Sequence, residues 1–434
     1  MRFMAADVAR AVSGELVGSN AHLSGVSFDS RTISPGQLFV PIIDQRDGHD
    51  FIEDAIKRGA GAYLTLRETQ GRTAIKVADT VAALLVLGTW GRARLDEQLQ
   101  QRVVAVTGSV GKTSTKDLVA SALGVAFKTH ANENSFNNDF GLPTTILNAP
   151  DEAQALVLEM GMRGFGEISR LCAVANPQIG IVTAVDNAHT ERVGSIEGVA
   201  RAKRELIEAL PKSGTAILNR DDERVWAMRD ATEATVLSYG TSVNADVRMS
   251  SCTIDDRGCA TASVVSPWGE VELKMQVAGR HMVQNALAAL CAAGVLGVDL
   301  NLAAAAVSVA KISESRMQMR KLQNGVTVID DSYNANPASM RAALETLASL
   351  SAGRRIAFCG LMAELAEPEK EHIAICEYAA QLGIELIAVN TDLYGVDAVS
   401  FDQAKTQLAK LNHHDAALVK GSKVTGLVRL CDGL

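Results

Sequence analysis

Residues 103–123, VVAVTGSVGKTSTKDLVASAL, constrain this chain more than any other segment. An apolar, β-branched run leads through a glycine turn into Lys112, Thr113 and an amphipathic stretch of helical period, so a strand is expected to deliver the chain into a helix N-terminus. Backbone N–H groups converge at such a junction and the helix dipole favours negative charge there, which suits a phosphate. Gly108 and Gly111 let the backbone approach with its N–H groups forward, Lys112 can reach the β and γ oxygens, and the Thr113 hydroxyl can ligate Mg²⁺. The usual spacing G-x-x-x-x-G-K-[ST] would put its first glycine at position 106, where Val106 stands, so the loop is a variant. A glycine turn before a helix with an exposed lysine is the plainer alternative. The strand, both glycines, Lys and Thr standing in register argue for a nucleotide bound by Thr107, Gly108, Ser109, Val110, Gly111, Lys112, Thr113 and Ser114.

The surroundings of the loop describe an α/β protein. Apolar runs such as VVAVTG, ALVLEMG and IGIVTAV alternate with amphipathic stretches, the pattern of a parallel sheet with crossover helices. At roughly 100 to 200 residues per domain, a 434-residue chain holds more than one core. Three domains are expected: 1–95, built of short β-rich and α/β pieces; 96–311, the central phosphate-loop domain with a mostly parallel sheet and flanking helices; and 312–434, a Rossmann-like α/β domain. A β-rich interlude over about 236–277 should flank the central sheet, and the Ala-rich block 286–310, interrupted by Asp299 and Asn301, reads as a buried helix pair rather than a membrane span.

Composition removes other classes. The net charge of −8 leaves no basic field for nucleic acid. Asp7 and Glu15 break the apolar run that an export signal would need, and seven scattered cysteines without a C-x-x-C pair fit free thiols in a reducing cytoplasm.

The form T-G-[ST]-x-G-K-T-[ST] of the loop resembles that of the Mur ligases and the related folylpolyglutamate synthetases. The resemblance continues in order through HANENSFNNDFGLP (130–143), LEMGMRGFGEI (158–168) and AHTERVGSIEGVARAKRELI (188–207). In the last third, DDSYNANPASM (330–340), MAELAEPEKEH and VKGSK are similar to the branch that adds D-alanyl-D-alanine to UDP-N-acetylmuramoyl tripeptide, while FDSRTISPGQLFVPI and DGHDFI are similar to its UDP-sugar-binding domain. The phrase D-N-P-R of the branch that adds a diamino acid is missing. The resemblance implies ATP and two Mg²⁺ as cofactors, UDP-N-acetylmuramoyl tripeptide and D-alanyl-D-alanine as small-molecule partners, no nucleic acid, no membrane insertion, and a monomer.

The same resemblance assigns residues. Glu159, at the end of a strand where a parallel sheet opens its crevice, would bind Mg²⁺ with Thr113; capping of the next helix is the alternative. His189 would ligate a second Mg²⁺ or touch the acyl phosphate, although a lone histidine is more often structural. Lys203 matches a lysine that the family carries carbamylated, a carboxylate-like metal ligand; the alternative is a solvated helix lysine. Lys112, His189, Lys203 and Glu159 are thus the catalytic candidates. Asn285 would contact adenine or cap nearby amides, Arg316 would reach the γ-phosphate from the third domain, and Asp331 with Ser332 would contact ribose. Ser30 and Arg31 would meet the uridine diphosphate, since arginine engages pyrophosphate through two N–H groups, and Asn137, Asn138, Asn334, Asn336 and Lys420 would serve the peptide and dipeptide. Ala184, Met282 and Leu361 depart from the Asn, Asn and Asp usual in the family.

Overall fold

The computed structural model describes residues 1–69, 72–133, 136–187 and 190–432. At its centre lies a nine-stranded sheet in the order Thr129–Ala131, Ala155–Glu159, Val103–Thr107, Ile179–Val182, Thr215–Asn219, Thr235–Gly240, Val247–Ile254, Cys259–Ser266 and Gly269–Ala278. The first seven run parallel. Every residue of Ala155–Glu159, Val103–Thr107 and Ile179–Val182 is buried, because helices cover both faces and no strand residue meets water; that is why these strands read as unbroken apolar runs. The β-rich segment, expected as a flank, instead extends this same sheet: its last two strands pair antiparallel at the far edge.

The Ala-rich block forms the helices His281–Val295 and Leu300–Ser308, and Asp299 caps the second by accepting a hydrogen bond from Leu302 N at 3.0 Å. Small side chains let His281–Val295 lie close against the phosphate-loop helix Lys112–Gly124, with which it shares an apolar core. Among the described residues, no helix is long and apolar enough to cross a membrane.

The first domain carries a five-stranded sheet, ordered Glu15–Val17, Ala74–Lys76, Ala62–Thr65, Leu38–Phe39 and Val26–Ser27, and a two-stranded one, Arg2–Met4 with His22–Ser24. Its helix Thr80–Arg94 belongs by packing to the neighbouring domain. The helix lies on Gly141–Asn148 and Glu167–Ala175, and at Gly88 an added Cβ would stand 2.5 Å from Pro143 Cβ, so only glycine permits that approach. Arg92, nearly fully buried, donates from Nε to Ala175 O at 3.0 Å. The third domain holds a five-stranded sheet, Gln318–Lys321, Thr327–Asp330, Asp415–Lys420, Arg354–Cys359 and Glu385–Ala388, parallel except at its first strand.

Asn148 joins the first two domains like a missing strand residue. Its Oδ1 accepts from Val26 N at 2.7 Å and its Nδ2 donates to Val26 O at 2.9 Å. Replacing Asn148 by alanine leaves both backbone groups of Val26 without these partners at a partly buried seam, and should cost about 1–3 kcal/mol. Urea unfolding checks this, with an unchanged midpoint as the contrary result.

Candidate active site

The strand Val103–Thr107 lies between the strands that end in Glu159 and Val182, so three chain segments leave the sheet side by side at its carboxyl edge, where parallel sheets bind ligands. Gly108 follows the strand at φ 152°, and an added Cβ would collide with Thr183 Oγ1. Thr183 itself clamps the loop, donating from Oγ1 to Val110 O at 2.5 Å. Ser109 ties the loop to the next segment: its N–H reaches Ala184 O at 2.7 Å, and its hydroxyl donates to Asp186 O at 3.0 Å and accepts from Asp186 N at 2.9 Å. Gly111, at φ 80°, turns the chain into the helix Lys112–Gly124, and an added Cβ there would lie 2.7 Å from Asn285 Oδ1. The loop is thus held from both sides before any ligand arrives.

Two ammonium groups converge on a single carbonyl. Lys112 Nζ donates to Gly108 O at 2.7 Å and Lys203 Nζ to the same oxygen at 2.8 Å. Lys203 is 1% exposed on the helix Ile196–Glu208, which excludes a solvated helix lysine. Burial, reinforced by Lys112, pushes its ammonium well below the ordinary lysine value. Lys112 is also lowered by burial, with Glu159 opposing and Arg316 reinforcing the effect.

Glu159 is 1% exposed; its Oε1 accepts from Asn137 Nδ2 at 2.7 Å, its backbone N–H donates to Asn132 Oδ1 at 2.6 Å, and its Oε2 is buried without a partner. It caps no helix; Glu205 instead accepts from Gly166 N and Ser169 N at 2.7 and 3.0 Å, at the start of Glu167–Ala175. A buried carboxylate oxygen beside a phosphate loop suits Mg²⁺, which takes one or two protein oxygens and fills the rest of its shell with water and phosphate. Among the described residues no three His, Cys, Asp or Glu side chains gather around a metal position. His189 and Asn134 lie outside the described residues.

The third domain closes onto this site. Arg316 Nη2 donates to Thr113 Oγ1 at 3.0 Å, its Nε is buried and unpartnered, and its guanidinium stands 4.2 Å from the centre of the Tyr333 ring. Asn336 caps the helix Pro337–Ser349 by accepting from Ser339 N at 2.9 Å and also donates to Ser109 O at 3.4 Å, so one side chain joins a helix start to the phosphate loop. A cleft of about 810 Å³ runs between the domains, lined by Ser109 to Ser114, Asn137, Asn138, Glu159, Lys203, Asn285, Arg316, Asp331, Asn334, Asn336 and Lys420. Thr107 and Gly108 do not line it.

Several candidates are otherwise engaged. Lys420, 1% exposed, pairs with Asp331 and donates to Asn334 O at 2.9 Å, while Asp331 Oδ1 accepts from Met317 N at 3.1 Å. The pair therefore shapes the loop 331–336. Ser332 is buried and donates to Asp330 Oδ1 at 2.6 Å. Ser30 and Arg31 lie outside the cleft. Ser30 is buried, and Arg31 is exposed and grips Asp29 through two bonds of 2.9 and 2.7 Å, which hold the Asp29 carboxyl below the usual range. Their domain contributes Ile42, Ile43, Asp44 and Val81 to the cleft instead. Thr183 and Asn132 were not singled out from the sequence. The place of Thr183 at a strand end was a usable signal, whereas nothing local marks Asn132.

A phosphate loop on a parallel sheet, faced by an arginine from a separate closing domain, defines a nucleotide-dependent enzyme of the ligase kind. Residues 22–89 match the Mur ligase family catalytic domain, 106–293 the Mur ligase middle domain, and 315–423 the Mur ligase glutamate ligase domain. The chain belongs to the Mur ligase family. It is 34% identical to the UDP-N-acetylmuramoyl-tripeptide–D-alanyl-D-alanine ligase of Bacillus subtilis over 84% of this chain and 79% of that one, and 35% identical to the same-named ligase of Mycobacterium bovis over 94% and 91%. Among solved structures it resembles MurF from Acinetobacter baumannii, with a TM-score of 0.89 at 27% identity over 99% and 98% of the chains, and MurF from Thermotoga maritima in complex with ADP, with a TM-score of 0.80 at 25% identity over 94% and 96%.

Two outcomes follow from this geometry. Gly108→Ala should lower affinity for ATP at least about 100-fold, because the loop must shift to seat a Cβ against Thr183; calorimetric titration reads this, and binding within threefold of native would contradict the clamp. Lys203 binds fewer protons folded than unfolded at pH values between its lowered value and 10.5, so its contribution to stability rises with pH across that window. Denaturation in CO₂-free buffer should show native stability gaining on Lys203→Met as pH rises from about 7 to about 9, and parallel curves would contradict it.

Proposed function

We propose that this enzyme joins D-alanyl-D-alanine to UDP-N-acetylmuramoyl tripeptide at the expense of ATP, giving the pentapeptide precursor of peptidoglycan with ADP and phosphate. The observation that carries the proposal is the phosphate loop faced by Lys112, Arg316 and a free Glu159 Oε2, in a chain 34–35% identical over most of its length to ligases named for that reaction.

The γ-phosphoryl group of ATP passes to the terminal carboxylate of the tripeptide. The amine of the dipeptide then attacks the acyl phosphate, and the tetrahedral adduct collapses to amide and phosphate. Such a transfer needs charge neutralisation and in-line positioning more than covalent help from the protein. Lys112 and Arg316 supply positive charge at the transferred group, and Arg316 does so only with the third domain in place, which also keeps out water. Thr113 and Glu159 would hold Mg²⁺, which when bound draws charge from the phosphate oxygens. Lys203, disfavoured as an ammonium, offers a neutral amine that can take up CO₂, releasing a proton and placing a carbamate beside Lys112 as a further metal ligand; His189 is its proposed partner for a second ion.

Asn285 serves the adenine side and Asp331 the ribose, while Ser332, buried on Asp330, only braces that strand end. Because Asp331 is already paired with Lys420, its free accepting capacity is what ribose would use. Asn137 and Asn138 face the tripeptide end, and Asn334 and Asn336, with Lys420 behind them, the dipeptide. Ser30 and Arg31 belong to the uridine diphosphate end, where Arg31 must exchange Asp29 for pyrophosphate. The enzyme acts in the cytoplasm as a monomer.

Purified protein with ATP, Mg²⁺ and bicarbonate should release phosphate only when both UDP-N-acetylmuramoyl tripeptide and D-alanyl-D-alanine are present, with a pentapeptide seen by mass spectrometry. Phosphate release supported by another amine acceptor would transfer the reading to a sister ligase, and full activity without bicarbonate would remove the carbamate from it.

A further inference from the structure

The phosphate-loop helix carries an ion pair, between buried Lys116 and partly buried Asp117, that the reaction does not use directly. Lys116, 2% exposed, and Asp117 stand 2.7 Å apart, Nζ to Oδ1. Successive residues on a helix point about 100° apart and do not face each other, so both side chains must bend to meet, and each is held by a second partner. Asp117 Oδ2 accepts from both Ser313 N and Ser313 Oγ at 2.8 Å. Ser313 lies between the last helix of the central domain, Leu300–Ser308, and the first strand of the third, Gln318–Lys321. On the other side, Lys116 Nζ donates to Asn132 O at 2.7 Å, and the Asn132 side chain, 2% exposed, accepts from Glu159 N at 2.6 Å.

Thr113 and Asp117 are four positions apart, so they lie on one helix face. Ser313 and Arg316 are three positions apart, so the linker is pinned to that face twice, by Asp117 at Ser313 and by Thr113 at Arg316. We propose that Lys116 and Asp117 are positioning residues: Asp117 seats the interdomain linker so that Arg316 reaches Thr113, and Lys116, through Asn132, holds Glu159 in register with it. Docking of the third domain and the backbone position of Glu159 are thereby coupled. A buried ion pair is weak as a source of stability, because desolvation offsets the attraction, and strong as a determinant of register; linker register is what this pair controls.

The inference rests on the ligase reading for its kinetic test and not for its second one. In the ligation assay, Asp117→Ala and the milder Ser313→Ala should each lower kcat about tenfold while KM for ATP moves less than about threefold, since the linker delivers a group that acts in the transition state. The double variant should be no slower than Asp117→Ala alone, as expected of two partners in one interaction. Asp117→Ala, which also frees Lys116, should raise the Mg²⁺ concentration for half-maximal rate, and Ser313→Ala should leave it unchanged. Additive losses, or a kcat unmoved in Ser313→Ala, would overturn the proposal. Small-angle scattering of the whole chain with Mg²⁺ and a non-hydrolysable ATP analogue reads the linker without turnover. A larger radius of gyration for Asp117→Ala than for the native protein is expected, and equal radii overturn the coupling whether or not the native protein ligates these substrates.

Discussion

The first turns of the helix Lys112–Gly124 are where the central domain meets the third. Its N-terminus sets the phosphate loop, Thr113 meets Arg316, Asp117 holds the linker at Ser313, and Lys116 reaches Asn132. The opposite side of the helix packs into the Ala-rich pair, where side chains without polar atoms allow close approach. A helix held along this much of its surface cannot shift without disturbing the sheet, the linker and the loop together, and that rigidity keeps a charge-stabilising site in register.

The charges in the cleft converge on the mouth of the phosphate loop. Lys112 and Lys203 share one carbonyl, Arg316 leaves a buried N–H unpartnered, and Glu159 leaves a buried carboxylate oxygen unpartnered. Buried polar atoms normally find partners, so an unpartnered donor and an unpartnered acceptor lining the cleft are what the proposed phosphate and its cation would use. Where the charges do pair, as in Lys420 with Asp331, the pairing holds a loop in shape instead.

The departures at Ala184, Met282 and Leu361 find modest roles. Ala184 acts through its backbone, whose carbonyl accepts from Ser109 N at 2.7 Å. Met282 offers sulfur to Asn285 Nδ2 at 3.7 Å, and the Leu361 carbonyl accepts from Ser422 N at 2.9 Å. At 184 and 361 the recorded hydrogen bond needs no particular side chain; at 282 the thioether lies against the amide proposed for adenine.

The strand-loop-helix at 103–123 was legible because its residue types answer to local rules: β-branched residues extend, glycine takes left-handed angles, and a helix start binds anions. The parallel sheet, the Ala-rich helix pair and the alternation of strands and helices in the third domain followed from the same periodicities. Sequence could also name Glu159 and Lys203 through a resemblance, but not show that Lys203 is buried against Gly108 or that Arg31 is spent on Asp29. The reach of Lys203 to Gly108, of Asn132 to Glu159 and of Asp117 to Ser313 joins residues 95, 27 and 196 positions apart. Pairings at that distance leave no period in a single chain, because burial and charge pairing depend on what the fold brings alongside, and only the packed domains decide it.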